Sequence, residues 1–146
     1  LEGMKGATVH AFEPLAENVD WLTKHVTENR LDDHVRIEPY ALGLHTGETV
    51  LLRDATGMEG RLSRTGNEVT KVFAADELAL ALPDVIKLDA EGAELDILAG
   101  AAQVIRSRRP LLFLEVHAPI AISDCLTLLP GYDADRLDGT RFLCRP

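Results

Sequence analysis

Two apolar segments of strand length, with one amphipathic helix between them, constrain this chain most strongly. The segments are Asp84–Asp89 and Leu111–Val116, and residues 90–109 between them carry an apolar stripe that includes Leu98 and Ile105. Acidic residues crowd the start of this predicted helix and arginines crowd its end, a distribution that matches the helix dipole. A strand, a helix and a second strand in this order predict a parallel βαβ unit.

The N-terminal part of the sequence repeats this arrangement. A strand is predicted at Thr8–Phe12, a helix with an apolar stripe from Leu15 to Val26, and a second strand at Val35–Tyr40. Near the C-terminus, Asp138-Gly139 is a strong hairpin-turn signal between two short strands. We therefore expect an α/β fold: one domain, with a mostly parallel sheet that ends in an antiparallel hairpin.

The middle of the chain gives weaker signals. We expect an edge strand at Thr49–Arg53, a polar, glycine-rich loop at Asp54–Glu68 and a short strand at Val69–Ala74. Short helices are expected at Ala75–Leu82 and Pro119–Leu129. A loop as long as Asp54–Glu68 is usually functional or mobile.

Charge and composition narrow the class of function. The net charge of −9 argues against a general nucleic-acid binder, which needs a basic face for phosphates. The longest apolar run is too short to span a bilayer, so no membrane partner is predicted. Cys125 and Cys144 stand alone in the sequence, which favours reduced thiols in a cytoplasmic protein. The chain begins with Leu1 rather than Met, and we expect its N-terminus to be incomplete.

Polar side chains follow the predicted strands at their carboxyl ends, where open α/β sheets bind their ligands. They are Glu13, Tyr40, Asp89, Glu91, Glu94, Glu115 and His117. A carboxylate such as Glu13 can accept two hydrogen bonds from the vicinal hydroxyls of a ribose, but it can equally be an acidic residue at a helix start. We give the two interpretations equal weight.

The segment from Asp89 to Glu94 holds three carboxylates in six residues. Capping and the helix dipole explain one or two of them, whereas a cation or an acceptor hydroxyl would help to explain the third. The spacing is not a specific metal signature, and we assign no metal ligands. Lys87, within an apolar strand, is expected to be buried in an ion pair. His117 is either a general base or a structural residue.

Common glycine-rich and hydrolase motifs are absent. The segments HAFEP-LAEN, YALG with HTGE, VIKLDAEGAELDILAGA, RRPLLFLEVH and a late GY resemble the FkbM family of S-adenosylmethionine-dependent methyltransferases. The resemblance extends from about Gly6 to Tyr132, and the pair of AFEP and IKLDAEGAE is its most specific part.

The resemblance implies a class I, Rossmann-like methyltransferase fold and O-methylation of a small molecule or sugar. In the matching positions, Glu13 would bind the cofactor ribose, and Tyr40 and Ala41 would lie along the adenine. The resemblance also implies that residues 54–68 help to shape the acceptor pocket. The implied residues of the transfer site are Asp89, Glu91 and His117 as catalytic candidates and Glu94 as a substrate contact.

Members of this family begin with a strand and a glycine-rich loop that this sequence does not contain. We therefore expect a fragment that binds S-adenosylmethionine weakly or not at all by itself. The expected partner is a small-molecule acceptor, and a homo-oligomer is possible. Two alternatives stay open: an NAD-type nucleotide-binding enzyme, with Glu13 on the nicotinamide cofactor's ribose, and a non-catalytic binding domain with the same fold.

Overall fold

The computed structural model describes residues 6–53, 60–63 and 68–146, and it has an α/β fold with mixed sheets. The chain separates into two compact units, Leu1–Ala41 and Leu42–Pro146. No helix in the described part of the chain combines the length and the apolar character that crossing a membrane requires.

The first unit is a βαβ arrangement. Strand β1 (Val9–Phe12), helix α1 (Ala16–Glu28) and strand β2 (Val35–Glu38) follow one another, and the two strands pair in parallel. Within the predicted stripe of α1, Leu15 and Val26 are buried, as the helical spacing indicates. Strand β2 ends two residues earlier than predicted, because the next residue is a proline, which has no N–H for the ladder.

The middle of the chain forms an antiparallel sheet. Its strands are β3 (Ala41–Leu42), β4 (Gly47–Arg53), β5 (Gly60–Ser63) and β6 (Glu68–Phe73), in the order β3-β6-β4-β5. The prediction of an edge strand at Thr49–Arg53 is wrong, because β4 pairs with both β5 and β6.

The loop predicted at Asp54–Glu68 is also wrong in part. It contains β5, and its last residue begins β6. Residues 54–59 and 64–67 lie outside the described part of the chain, and so does most of the segment for which an acceptor-pocket role is implied. The helix predicted at Ala75–Leu82 is only a 3₁₀ turn, Ala75–Glu77.

The second four-stranded sheet contains β7 (Val85–Leu88), β8 (Leu111–Glu115), β9 (Asp133–Asp138) and β10 (Arg141–Arg145), in the order β7-β8-β10-β9. Strands β7 and β8 are parallel, while β10 runs antiparallel to both β8 and β9. The C-terminal hairpin is therefore confirmed.

A mostly parallel sheet was the wrong expectation for the described pairings. The parallel pairs are β1–β2 and β7–β8, whereas β4 and β10 each have two antiparallel neighbours. Apolar runs predict that a strand is buried, but they do not fix the direction of its partner.

The single helix predicted at residues 90–109 is divided at Ala101 into α2 (Glu94–Gly100) and α3 (Ala102–Arg108). At the end of α2, Gly100 lies so close to Gly43 that an added Cβ would be 2.0 Å from the Gly43 carbonyl oxygen. The new helix start is capped from outside, because the Asp76 carboxylate accepts hydrogen bonds from the backbone N–H groups of Gln103 and Val104 at 2.9–3.0 Å.

The core of the second unit lies between its helices and the β7–β10 sheet. Helix α4 (Ile122–Thr127) contributes Cys125, and the buried residues of this cluster also include Leu98, Ile105, Leu112, Leu114 and Phe142. Leu88 near the end of β7 and Leu114 near the end of β8 belong to this core, so the residues that follow the two strands begin at its edge.

Candidate active site

Asp89 and His117 come together because β7 and β8 are parallel and in register. Leu88 at the end of β7 pairs with Leu114 of β8, so the residues that follow both strands emerge at the same edge of the sheet. The Nε2 atom of His117 lies 3.8 Å from Oδ1 of Asp89 and 3.6 Å from Oε1 of Glu91. The prediction that these strand ends gather polar groups is confirmed for these residues.

The turn between β7 and α2 has an unusual backbone that brings Glu91 to this edge. Glu91 and Gly92 both have positive φ values, 49° and 97°. The left-handed conformation costs a non-glycine residue about 1–2 kcal/mol, whereas glycine adopts it freely. Strain of this kind at a non-glycine residue is frequent at functional sites. Gly92 is thus the residue that allows the chain to reverse between Asp89 and Glu94.

Glu94 lies behind His117 and is fully buried, with 0% of its surface exposed. Its Oε1 is 2.6 Å from Nδ1 of His117 and also accepts a hydrogen bond from the Gly92 N–H at 3.1 Å. Its Oε2 is buried and has no hydrogen-bond partner in the described part of the chain. Glu94 is thus a buried neighbour of His117, and the substrate contact expected for it stays a prediction.

The surroundings of His117 favour its charged form. Burial of the ring lowers the pKa of His117, but the hydrogen bond to Glu94 and the negative charges of Glu91, Glu94 and Asp89 raise it by more. The net result is a pKa above the ordinary histidine value. Because Nδ1 is engaged by Glu94, Nε2 is the nitrogen that faces the two exposed carboxylates.

Lys87 and Glu115 take part in ion pairs beside this cluster. The Lys87 ammonium lies 2.8 Å from Oδ2 of Asp89, as an ion-pair role predicts, but its side chain is 71% exposed rather than buried. Glu115 lies 3.0 Å from the Arg141 guanidinium and also accepts a hydrogen bond from Thr140. Glu115 therefore has its own partners, Arg141 at the start of β10 and Thr140 immediately before it.

In the first unit, Glu13 follows β1, and its N–H donates to the carbonyl of Glu38 on β2. Oε1 of Glu13 accepts a hydrogen bond from the Leu15 N–H at 2.8 Å, at the start of α1. This hydrogen bond directly supports the interpretation of Glu13 as an acidic residue at a helix start. Its Oε2 makes no hydrogen bond to any residue that the structure describes, so this oxygen could accept one from a ligand.

Tyr40 and Ala41 follow β2. The Tyr40 ring packs against Phe12 at the end of β1, with 5.7 Å between ring centroids, and Ala41 is buried. Burial, together with the charge of Glu38 and a hydrogen bond to it, raises the pKa of Tyr40.

Sequence reasoning missed Glu38, which also lies 3.1 Å from Nδ1 of His10. Glu38 lay inside the predicted strand Val35–Tyr40, two residues before its expected end, so it was not counted among the strand-end groups. The ends of β1 and β2 therefore hold two carboxylates and two aromatic rings.

Known proteins with similar sequences or structures place the chain in a family. The methyltransferase FkbM domain matches residues 1–134. The hexuronic acid methyltransferase AglP of Haloferax volcanii is 30% identical over 129 residues, which is 84% of this chain and 53% of AglP.

The crystal structure of methyltransferase FkbM from Methylobacillus flagellatus KT superposes with a TM-score of 0.65 at 22% identity. This match covers 99% of the chain and 38% of that protein. The chain thus spans about half the length of its curated relative. Because the family domain matches nearly the whole sequence, the chain belongs to the FkbM methyltransferase family.

Proposed function

We propose that this chain forms part of an S-adenosylmethionine-dependent methyltransferase that O-methylates a small molecule or a sugar. The observation that carries the proposal is the convergence of Asp89, Glu91 and His117 after two parallel strands. Membership of the FkbM family supports the reaction type, and the hexuronic acid named for AglP supports a sugar-acid acceptor. A cytoplasmic location is part of the same proposal.

Glu13 is the proposed partner of the cofactor ribose. One carboxylate oxygen already binds the Leu15 N–H, which fixes the side chain, and Oε2 remains for a hydroxyl. A charge-assisted hydrogen bond of this type contributes about 1.5–3 kcal/mol. Tyr40 and Ala41 are the proposed neighbours of the adenine, and the Phe12–Tyr40 pair offers it an apolar surface.

We further propose the class I methyltransferase arrangement, with residues 1–146 belonging to one domain. Among the described strands, β1 pairs only with β2, and β7 is an end strand of its sheet. Each therefore has one edge to which an additional strand from a longer protein could hydrogen-bond.

S-adenosylmethionine supplies a methyl group on a sulfonium, which is transferred by in-line displacement. Alignment of the acceptor hydroxyl accounts for up to about 7–11 kcal/mol of the barrier in reactions of this kind. Removal of the hydroxyl proton by a positioned base adds about 10²–10⁴-fold in rate. Asp89, Glu91 and His117 are the candidates for this base.

Glu94 is proposed as a positioning residue rather than a substrate contact. Its bond to Nδ1 of His117 holds the ring and leaves Nε2 facing the acidic residues. Such a partner fixes the tautomer of a histidine and increases the basicity of its free nitrogen.

The proposal is tested by calorimetry on a longer form of the protein, extended upstream by about one strand and one loop. We expect S-adenosylmethionine to bind, Glu13→Ala to abolish binding and Asp20→Ala, on the exposed side of α1, to leave it unchanged. Normal binding by Glu13→Ala would contradict the ribose assignment. A binding heat for NAD but not for S-adenosylmethionine would favour the NAD-type enzyme. The absence of a binding heat for both ligands would favour a non-catalytic domain.

A further inference from the structure

We propose that Asp89, Glu91 and His117 form a binding site for a divalent metal ion. One donor atom from each residue lies within 4.8 Å of the other two. The distances from Nε2 of His117 to the two carboxylates are 3.6 and 3.8 Å. Metal–ligand bonds of about 2.0–2.2 Å in tetrahedral geometry place donor atoms about 3.4 Å apart. The two distances to Nε2 exceed this spacing by about 0.2 and 0.4 Å, and the separation of the two carboxylate oxygens, at most 4.8 Å, exceeds it by up to about 1.4 Å, so the side chains must close by these amounts around an ion.

The orientation of His117 is the one that metal coordination requires. Metal-binding histidines almost always donate their other ring N–H to a carboxylate or carbonyl, which fixes the ring and makes the free nitrogen a better ligand. Here Nδ1 lies 2.6 Å from the buried Glu94 carboxylate and Nε2 faces Asp89 and Glu91, so an ion that displaces the Nε2 proton would meet a ring already oriented for coordination. Glu94 supports the site without coordinating the ion.

The buried carboxylate of Glu94 favours positive charge on His117, which its Oε1 contacts. The carboxylate is 0% exposed, reaches the cluster through His117, and leaves Oε2 buried without a hydrogen bond to any described residue. A buried carboxylate is costly unless positive charge compensates it. Either a proton or an ion on Nε2 would strengthen the Nδ1–H bond to Glu94 and supply that compensation, and the ion would in addition neutralise Asp89 and Glu91.

The Lys87 ammonium does not provide this charge to Glu94. Lys87 is 71% exposed and pairs with Oδ2 of Asp89, which leaves Oδ1 directed toward His117. The side chains of Asp89 and Glu91 are 34% and 39% exposed, so an ion from solvent can reach both.

The donor set indicates the class of ion. One imidazole and two carboxylates combine a ligand that suits zinc and iron with ligands that suit magnesium and manganese. Mn²⁺ accepts both donor types, and water or an acceptor oxygen can complete its coordination. The inference does not rest on the proposed function, because ion binding is measured without cofactor or acceptor.

The test is Mn²⁺ titration of chelator-treated protein, followed by electron paramagnetic resonance and calorimetry. We expect saturable binding of one ion per chain, and a loss of affinity of at least about tenfold in Asp89→Asn, Glu91→Gln and His117→Gln. Glu94→Gln keeps the shape of the side chain but removes its charge, and we expect it to weaken binding by about 10–100-fold. Asp96→Asn, on the exposed side of α2, is the matched control and should bind normally.

Circular dichroism of each variant establishes that it is folded before its affinity is compared. Absence of saturable Mn²⁺ binding by the folded protein would overturn the inference, and so would binding that survives in folded Asp89→Asn and Glu91→Gln. The two proposals fail separately. Mn²⁺ binding without methyl transfer would contradict only the proposed function, whereas methyl transfer by protein that binds no Mn²⁺ would contradict only the metal site.

Discussion

Replacement of Gly100 by alanine tests the close approach that ends α2. The new Cβ would lie 2.0 Å from the carbonyl oxygen and 3.0 Å from the carbonyl carbon of Gly43, while ordinary van der Waals contact begins at 3.4 Å. The helix and the neighbouring backbone must therefore separate by about 1.4 Å at this contact. Both partners are backbone, so no flexible side chain can move aside.

The expected sign of this effect is opposite to that of helix propensity. Overpacking of a buried contact costs about 1–3 kcal/mol, and a clash with backbone belongs at the upper end. Alanine regains at most about 1 kcal/mol over glycine in a helix. We expect a net loss of about 2 kcal/mol in the free energy of unfolding, or about 4–8 °C in Tm for a chain of this size.

Urea denaturation followed by circular dichroism measures this difference. Gly47→Ala is the control, because a Cβ added at Gly47 would have no heavy atom within 4 Å, so this position should tolerate alanine without loss. A Gly100→Ala variant that is as stable as the original protein, or more stable, would refute the explanation given for the break at Ala101.

Three further outcomes follow from single contacts. Asp76→Ala removes the cap of α3 and should cost about 1 kcal/mol in urea denaturation, whereas the exposed Glu77→Ala should be neutral. Tyr132→Phe removes a buried hydroxyl that donates to a backbone carbonyl at 2.9 Å, and its melt should show a loss of about 0.5–1.5 kcal/mol. Burial, and secondarily the charge of Glu94, raise the pKa of Cys125 to about 11, so its thiol stays protonated at pH 8. Cys125 should therefore react with a thiol reagent only at the rate of unfolding, and rapid labelling of this residue in folded protein would contradict the prediction.

The strands were the most predictable part of the fold. Apolar runs bounded by proline or polar residues identified β1, β2, β7 and β8 to within one or two residues. Pairing direction in the middle of the chain was not predictable, because it depends on which strands meet after the chain turns. Strand β5 was not predicted either, because it is short, lies in a polar segment and is defined by its pairing with β4.

The break in the long helix was not visible in the sequence because its cause is not local. Gly100 alone reduces helix propensity by only about 1 kcal/mol, which many helices tolerate. The decisive contacts come from Gly43 and from Asp76, which are distant in the sequence. The glycines of the YALG and LAGA segments thus contact each other in the folded chain.

The residues of the candidate site that directly follow strands were predictable. The burial of a site side chain was not. Asp89 and His117 were identified as neighbours because the residues that follow adjacent parallel strands lie at the same edge of the sheet. The burial of Glu94 was not predictable, since a carboxylate at a helix start looks the same in sequence whether it points to solvent or into the core. Only the structure shows it buried against His117.

The most direct test of the central claim is the rate of methyl transfer by the upstream-extended protein to a panel of hexuronic acids. If the acceptor hydroxyl reacts beside Asp89, Glu91 and His117 and one of them is the base, at least one of the variants Asp89→Asn, Glu91→Gln and His117→Gln lowers kcat by about 10²-fold or more. Asp96→Asn keeps the original rate. Full activity in all three site variants would contradict the account.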